Sequence, residues 1–216
     1  MVTQFGPLRR PAILLGALAM IVTGCTSGND DTDPTFTPPT STYKPPTSRS
    51  TSAAPTTTPP ISTGPNVRPG EKPPTVPAQA KTNTDLGAEL YARYWMQALD
   101  WGYATTDSSL AKAAFFSTCA GCTKFMQQFD GTRAQARHFR GGRIQILGTS
   151  LQPNDHHNQA TAVYDLTSSQ EALQVLTGSG KVVDSAPAIP KDVSRIWLRW
   201  TNDSWTVADW KEVVTK

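Results

Sequence analysis

The sequence lacks any apolar run long enough to cross a bilayer. Its longest apolar stretch, Pro11 to Val22, is about a dozen residues, where a spanning helix needs roughly 20. The compact signatures of catalysis are missing too: there is no nucleophile elbow, phosphate loop or metal-ligand helix. Histidine is scarce. His138, His156 and His157 are the three present, and their spacing matches no common zinc pattern. No internal repeat is visible. These absences leave no cofactor and no metal to expect, and they point away from an enzyme without deciding the matter.

What is present begins with an export signal. Arg9 and Arg10 precede the apolar stretch, and the run Val22-Thr23-Gly24-Cys25 closes it. A charged start, a short apolar core and small terminal residues are the three parts of a cleaved signal peptide. The residues before Cys25 resemble a lipobox, so residues 1–24 read as a lipoprotein signal and Cys25 as the lipidation site. A diacylglyceryl group there supplies two acyl chains, enough for stable anchoring where one is marginal. The expected location is the extracytoplasmic face of the cell membrane, with the membrane itself as a partner through the lipid. Charge follows from processing. The whole chain is +3, but residues 1–24 carry Arg9 and Arg10 and no acid, so the mature chain is about +1, too little for a basic footprint. No nucleic acid is expected as a partner.

Residues 25–81 read as a tether. Thirteen of the eighteen prolines lie there, among many Thr and Ser. Such a segment buries too little apolar surface to offset its ordering entropy. Pro-rich pairs such as Pro45-Pro46 and Pro59-Pro60 favour extended polyproline conformation, and the Ser/Thr content suits O-glycosylation. The tether is expected to be disordered and to space a folded domain from the membrane.

From about Thr82 to Lys216 the composition turns globular, and all six tryptophans lie in this part. About 135 residues suffice for one domain. Residues 84–105 predict a long helix capped by Asn83 or Thr84, with Leu86, Leu90, Tyr94, Ala98 and Trp101 at helical spacing. A short helix follows from Ser108-Ser109 to about Phe116. A third runs from about Ser117 to Phe139, bent near Gly131 and ended by Gly141-Gly142. The period then switches to two. Residues 143–152, 157–167 and 171–178 predict strands, and 193–201 with 204–212 predict a hairpin turning at Asn202-Asp203. In that register Trp200 faces Trp205 and Leu198 faces Val207, with Ile196 on the same buried face. The fold class is α+β, with helices first, packed on a curved antiparallel sheet.

Several residues are candidate sites. Cys119 and Cys122, at a helix start, read as a structural disulfide in an oxidising compartment once Cys25 is lipidated. The alternatives are a redox pair, since Cys-x-x-Cys at a helix N-terminus lowers a thiol pKa, and zinc, which would need two further ligands. His156-His157 reads as a solvated turn, and His138 as a helix-end residue. Most aromatic residues read as core. Trp197 and Trp210 are the exceptions: beside Arg195 and Arg199 on the less buried face, they form a candidate surface for an anionic cell-wall glycan or an envelope protein. The competing reading is a Trp–Arg stack under a helix. Asp107, Asp209 and Tyr164 are nominal pocket groups, each equally readable as a cap, a surface charge or the edge of the core.

A family resemblance rests on residues 87–95 (Gly-Ala-Glu-Leu-Tyr-Ala-Arg-Tyr-Trp), Tyr103 to Asp107, Ser109-Leu110 and Cys119-Ala120-Gly121-Cys122. This pattern resembles an actinobacterial lipoprotein family of unknown function, the domain of unknown function 6318 type. The resemblance implies a cone-shaped domain like nuclear transport factor 2, often with a pocket between helices and sheet, and no assigned activity. The chain departs from the family pattern at Thr106, where glycine is usual. The function expected is therefore a non-catalytic binding or interaction module. A pocket protein acting on a small molecule and a thiol oxidoreductase are the alternatives.

Overall fold

The computed structural model describes residues 61–213. The signal peptide, Cys25 and the tether up to residue 60 lie outside the described residues.

Helix α1 (Asp85–Thr105) begins where Thr84 Oγ1 accepts the Gly87 N–H at 3.1 Å. This is the capping the sequence predicts. Its residues are buried on nearly every side, Trp95 and Leu99 completely, as expected of a helix whose apolar face is too wide for one contact. Its C-cap, Thr106, is left-handed with φ 55°. A β-branched residue is strained there, and a buried contact offsets the strain: Thr106 Oγ1 accepts the Phe139 N–H at 3.2 Å. Helix α2 (Ser109–Lys112) is shorter than predicted. After it, Phe115 forms an isolated bridge to Val207.

Helix α3 (Ala120–Ala134) corrects the sequence reading. The predicted third helix reaches Phe139, but β1 (Arg137–Gly141) occupies that stretch. Sheet pairing with β4 (Leu173–Thr177) supplies the backbone partners, and Phe139 enters the core against Tyr103 and Phe129. His138 therefore faces Leu176 across a strand pair rather than closing a helix.

The remaining strands are β2 (Ile144–Leu151), β3 (Ala162–Gln170), β5 (Val182–Ala186), β6 (Ile189–Thr201) and β7 (Ser204–Glu212). The sheets have orders β1-β4-β5 and β2-β3-β6-β7, antiparallel throughout. They meet at a bend. There the Gly142 N–H donates to Ala172 O at 3.0 Å and the Glu171 N–H to Arg143 O at 2.9 Å, so pairing continues across the turn. Gly141 and Gly142 both take φ 70°, and a Cβ on Gly141 would lie 2.1 Å from Ala172 O. The glycines read as a helix stop thus serve as the crease of a curved sheet. The result is the α+β arrangement expected, with helices on an antiparallel sheet.

The hairpin β6–β7 pairs Trp200 with Trp205 and Leu198 with Val207, as predicted. A bulge then intervenes: Trp197 pairs with Asp209 and Ile196 with Trp210. Beyond the bulge the alternation of faces is reversed. Most of the core lies between helices and sheet. A second small cluster, Ala160, Val163, Trp197 and Ala208 with Phe116, covers the opposite face.

Residues 61–77 pack on the domain, although their composition assigns them to the tether. Ile61 O accepts the Trp101 indole N–H at 2.9 Å. Asn66 bonds Tyr103 O, Gly141 O and the Gly141 N–H with its side chain, and the Ala104 O with its backbone. Side-chain capture of backbone groups holds this Pro-rich arm, which composition does not report.

Candidate functional site

Two concavities flank α1. The first lies inside, between helices and sheet, and is nearly filled: about 60 Å³ remain, among Tyr103, Ser168, Ser194, Trp210 and Glu212. Binding pockets for small molecules hold roughly 300–1,000 Å³. Burial pushes the Tyr103 hydroxyl up. Burial, and then the negative charge of Asp192, push the Glu212 carboxyl up at the mouth.

The second concavity is a groove of about 620 Å³ at the bend of the sheet. The arm supplies one wall, with Arg68 and Glu71. Helix α1 supplies another, with Arg93, Gln97 and Asp100 one turn apart in succession. Strands β2, β3 and β6 form the floor and far end. Arg143, only 6% exposed, fastens these parts together. Its guanidinium donates to Asp100 at 2.9 and 2.6 Å and to both oxygens of Glu71, one at 3.0 Å. Asp100 also accepts the Ile144 N–H at 2.7 Å. The hydrogen bond from Arg143 holds the Glu71 carboxyl below the usual range, against a smaller opposing effect of burial. Nearby, Glu89 accepts from Arg93 at 3.0 Å and from Thr149 at 2.5 Å. The Thr149 bond, followed by the Arg93 pair, keeps the Glu89 carboxyl low.

Sequence reasoning missed this groove. Its signal was the polar stripe Glu89, Arg93, Gln97, Asp100 along one side of a largely apolar helix, together with Arg143 directly after two glycines.

The four residues of the predicted binding surface do not form one. Trp197 is 1% exposed. Its indole N–H donates to Asp155 at 2.8 Å, and the Lys211 ammonium sits 4.6 Å from its ring. Trp210 lies on the core side, against Phe125 at 5.1 Å, because the bulge at Ala208 reverses its face. Arg195 is engaged by Asp165 at 2.7 and 2.8 Å. Arg199 stacks on Phe116 at 3.9 Å. The Trp–Arg stack weighed against recognition is not the arrangement found either: the arginine stacks on Phe116 and the tryptophan ring meets Lys211.

Cys119 and Cys122 form a disulfide, with Cα atoms 5.3 Å apart, and both are fully buried. Gly121 lets this helix start press onto β7: a Cβ there would lie 2.5 Å from Trp210 O. Asp209, next along β7, holds His157 Nε2 at 2.6 Å, and the His157 ring lies 5.1 Å from Trp197. His157 is thus tied down within a turn in which His156, Asn158 and Gln159 are left-handed. The other nominal groups are scattered. Asp107, just before the N-cap Ser108 of α2, accepts the Ser109 N–H at 3.0 Å and pairs with Arg133. Tyr164 donates to Asp85 O at 2.8 Å, and burial pushes its hydroxyl up to about 12. Asp107, Asp209 and Tyr164 do not converge.

A family profile, described as a family of unknown function (DUF6318), matches residues 68–211. The chain belongs to that family. The DUF6318 match opens at Arg68, so it takes in the arm from Arg68 onward, Glu71 included. No curated protein matches the chain. Among solved structures, Aln2 from a Streptomyces species is similar at 12% identity with a TM-score of 0.36, covering 58% of this chain and 85% of that one.

Proposed function

We propose that this protein is a cell-envelope lipoprotein, held at the extracytoplasmic face of the membrane by lipid on Cys25, and that its α+β domain is a non-catalytic binding module. The observation that carries the reading is the contrast between the interior, with about 60 Å³ free, and the groove at the bend, with about 620 Å³. A filled interior counts against a pocket enzyme. Burial of both sulfurs counts against thiol exchange, which needs an attacking thiolate to reach one of them. The charged start, apolar core and small residues before Cys25 support the anchor. Residues 26–60 then act as a spacer.

The test has two parts. Crosslinking in the native envelope, followed by mass spectrometry, should return a reproducible partner. Random neighbours and no retained wall fragment would overturn the binding role. In the same cells, Cys25→Ser should move the protein from the membrane fraction to the soluble fraction. Unchanged membrane retention would overturn the anchor.

A further inference from the structure

We propose that the groove at the bend binds an extended, uncharged stretch of polypeptide from a partner protein. The proposal rests on the reading of the domain as a binding module and names the ligand class for that same groove. Charge is the first argument. Three arginines line the groove, Arg68, Arg93 and Arg143, against three acids, Glu71, Asp100 and Glu171. Each arginine already holds a carboxylate. A polyanion gains affinity by neutralising its charges with cations, and here every cation is engaged. A phosphate- or carboxylate-rich polymer therefore has little to gain.

The hydrogen-bonding capacity left over is neutral. Gln97 and Gln145 are exposed and Ser169 half-buried. Among the described residues their side chains make no hydrogen bond of their own. An amide offers donors and acceptors together, which suits a peptide backbone, where N–H and C=O both need partners. Ile146 and Ile189 add apolar surface along the same groove, which alternate side chains of an extended segment can use. No aromatic ring lines the groove, so the stacking platform that favours a sugar face is missing.

The experiment uses the full chain in detergent, labelled with 15N-glutamine. The probes are a pool of blocked random hexapeptides, an N-acetylglucosamine oligomer and linear polyphosphate. The peptide pool should shift the side-chain amide signals of Gln97 and Gln145, and the other two probes should not. Gln145→Trp fills the groove from an exposed strand position and should weaken the apparent affinity at least about tenfold. Gln97→Met, milder and helix-compatible, should weaken it less. Unchanged circular dichroism will show that both variants fold. Shifts caused by the sugar or polyphosphate but not by peptides would overturn the proposal, as would peptide binding indifferent to Gln145→Trp. Peptide shifts confined to Gln127 and Gln128 on α3 would overturn the groove while leaving the binding-module reading intact. Silence from all three probes would overturn the peptide assignment, and envelope crosslinking would then decide the wider reading separately.

Discussion

The space between helices and sheet and the groove at the bend of the sheet are built on the same helix, yet one is nearly filled and the other open. Trp95, Leu99 and Tyr103 of α1 fill the inside, while Arg93, Gln97 and Asp100 of the same helix wall the groove. A helix exposes a different face every few residues, so one segment serves packing and recognition at once. The space between helices and sheet is nearly filled, with about 60 Å³ left. The polar surface is left at the crease, beside the arm that leads back to the tether.

The contrast can be tested from either side, and damage to the inside should cost most. Trp95 is wholly buried and meets Phe115 edge-on with ring centroids 5.5 Å apart. Trp95→Ala removes that contact and opens a cavity, at about 3–5 kcal/mol, measured by urea unfolding. A loss below about 1 kcal/mol would mean the interior is not the tightly packed side. The groove comes next. Arg143→Met leaves Glu71 and Asp100 facing each other without their cation. Breaking such a pair costs about 3 kcal/mol when it is buried, and less here because both acids touch solvent, 25% and 21% exposed. Hydrogen exchange should rise in residues 61–77 well before it rises in α1. Equal loss of protection in both would show that arm and domain unfold as one unit.

How much of this was legible in the sequence depends on how local the signal is. The cap at Thr84, the long α1, the Trp200–Trp205 pairing and the α+β class all follow from residues close in the chain. Failures came where a distant partner decided the outcome. Phe139 leaves the helical pattern because β4 is there to pair with it. Trp210 changes face because of a one-residue bulge at Ala208, which alternation cannot announce. Strand β5 is exposed throughout, so it offers no period to read. The groove escaped notice because Glu71 sits in a stretch whose prolines mark it as tether, and its partner Arg143 lies far along the chain. Asp100 and Arg143 lie 43 residues apart, and only the fold places them together.

Acid should separate the two regions more gently than mutation. The Glu71 carboxyl is held low, chiefly by Arg143. Its contribution is therefore present above the unfolded pKa of roughly 4.3 and is lost as pH falls through the folded value. Below about pH 4 the arm should begin to detach, with α1 and the sheet still protected. Glu71→Gln should mimic this at neutral pH, at about 1–2 kcal/mol for a lost charge-assisted bond. Hydrogen exchange of residues 61–77 at pH 7 and pH 3.5 checks both. An arm that stays protected in the variant would show that Asn66 and Ile61 suffice to hold it.

The mouth of the interior should respond least. Glu212 is raised by burial and then by Asp192, the opposite of Glu71. Its folded state binds a proton more readily than its unfolded state. The associated stability is present below the unfolded pKa and is lost as pH rises through the folded one. Glu212→Gln should therefore raise the melting temperature slightly at pH 7 and leave it unchanged near pH 3.5. The residue still reaches solvent, so screening keeps the gain small. Asp192→Asn should bring the Glu212 titration back toward that of an ordinary glutamate, followed by NMR. If Glu212→Gln destabilised the protein at pH 7, the carboxylate would be making a favourable contact inside. The closed interior would then contain a polar arrangement the fold depends on, and the contrast with the groove would be one of size alone.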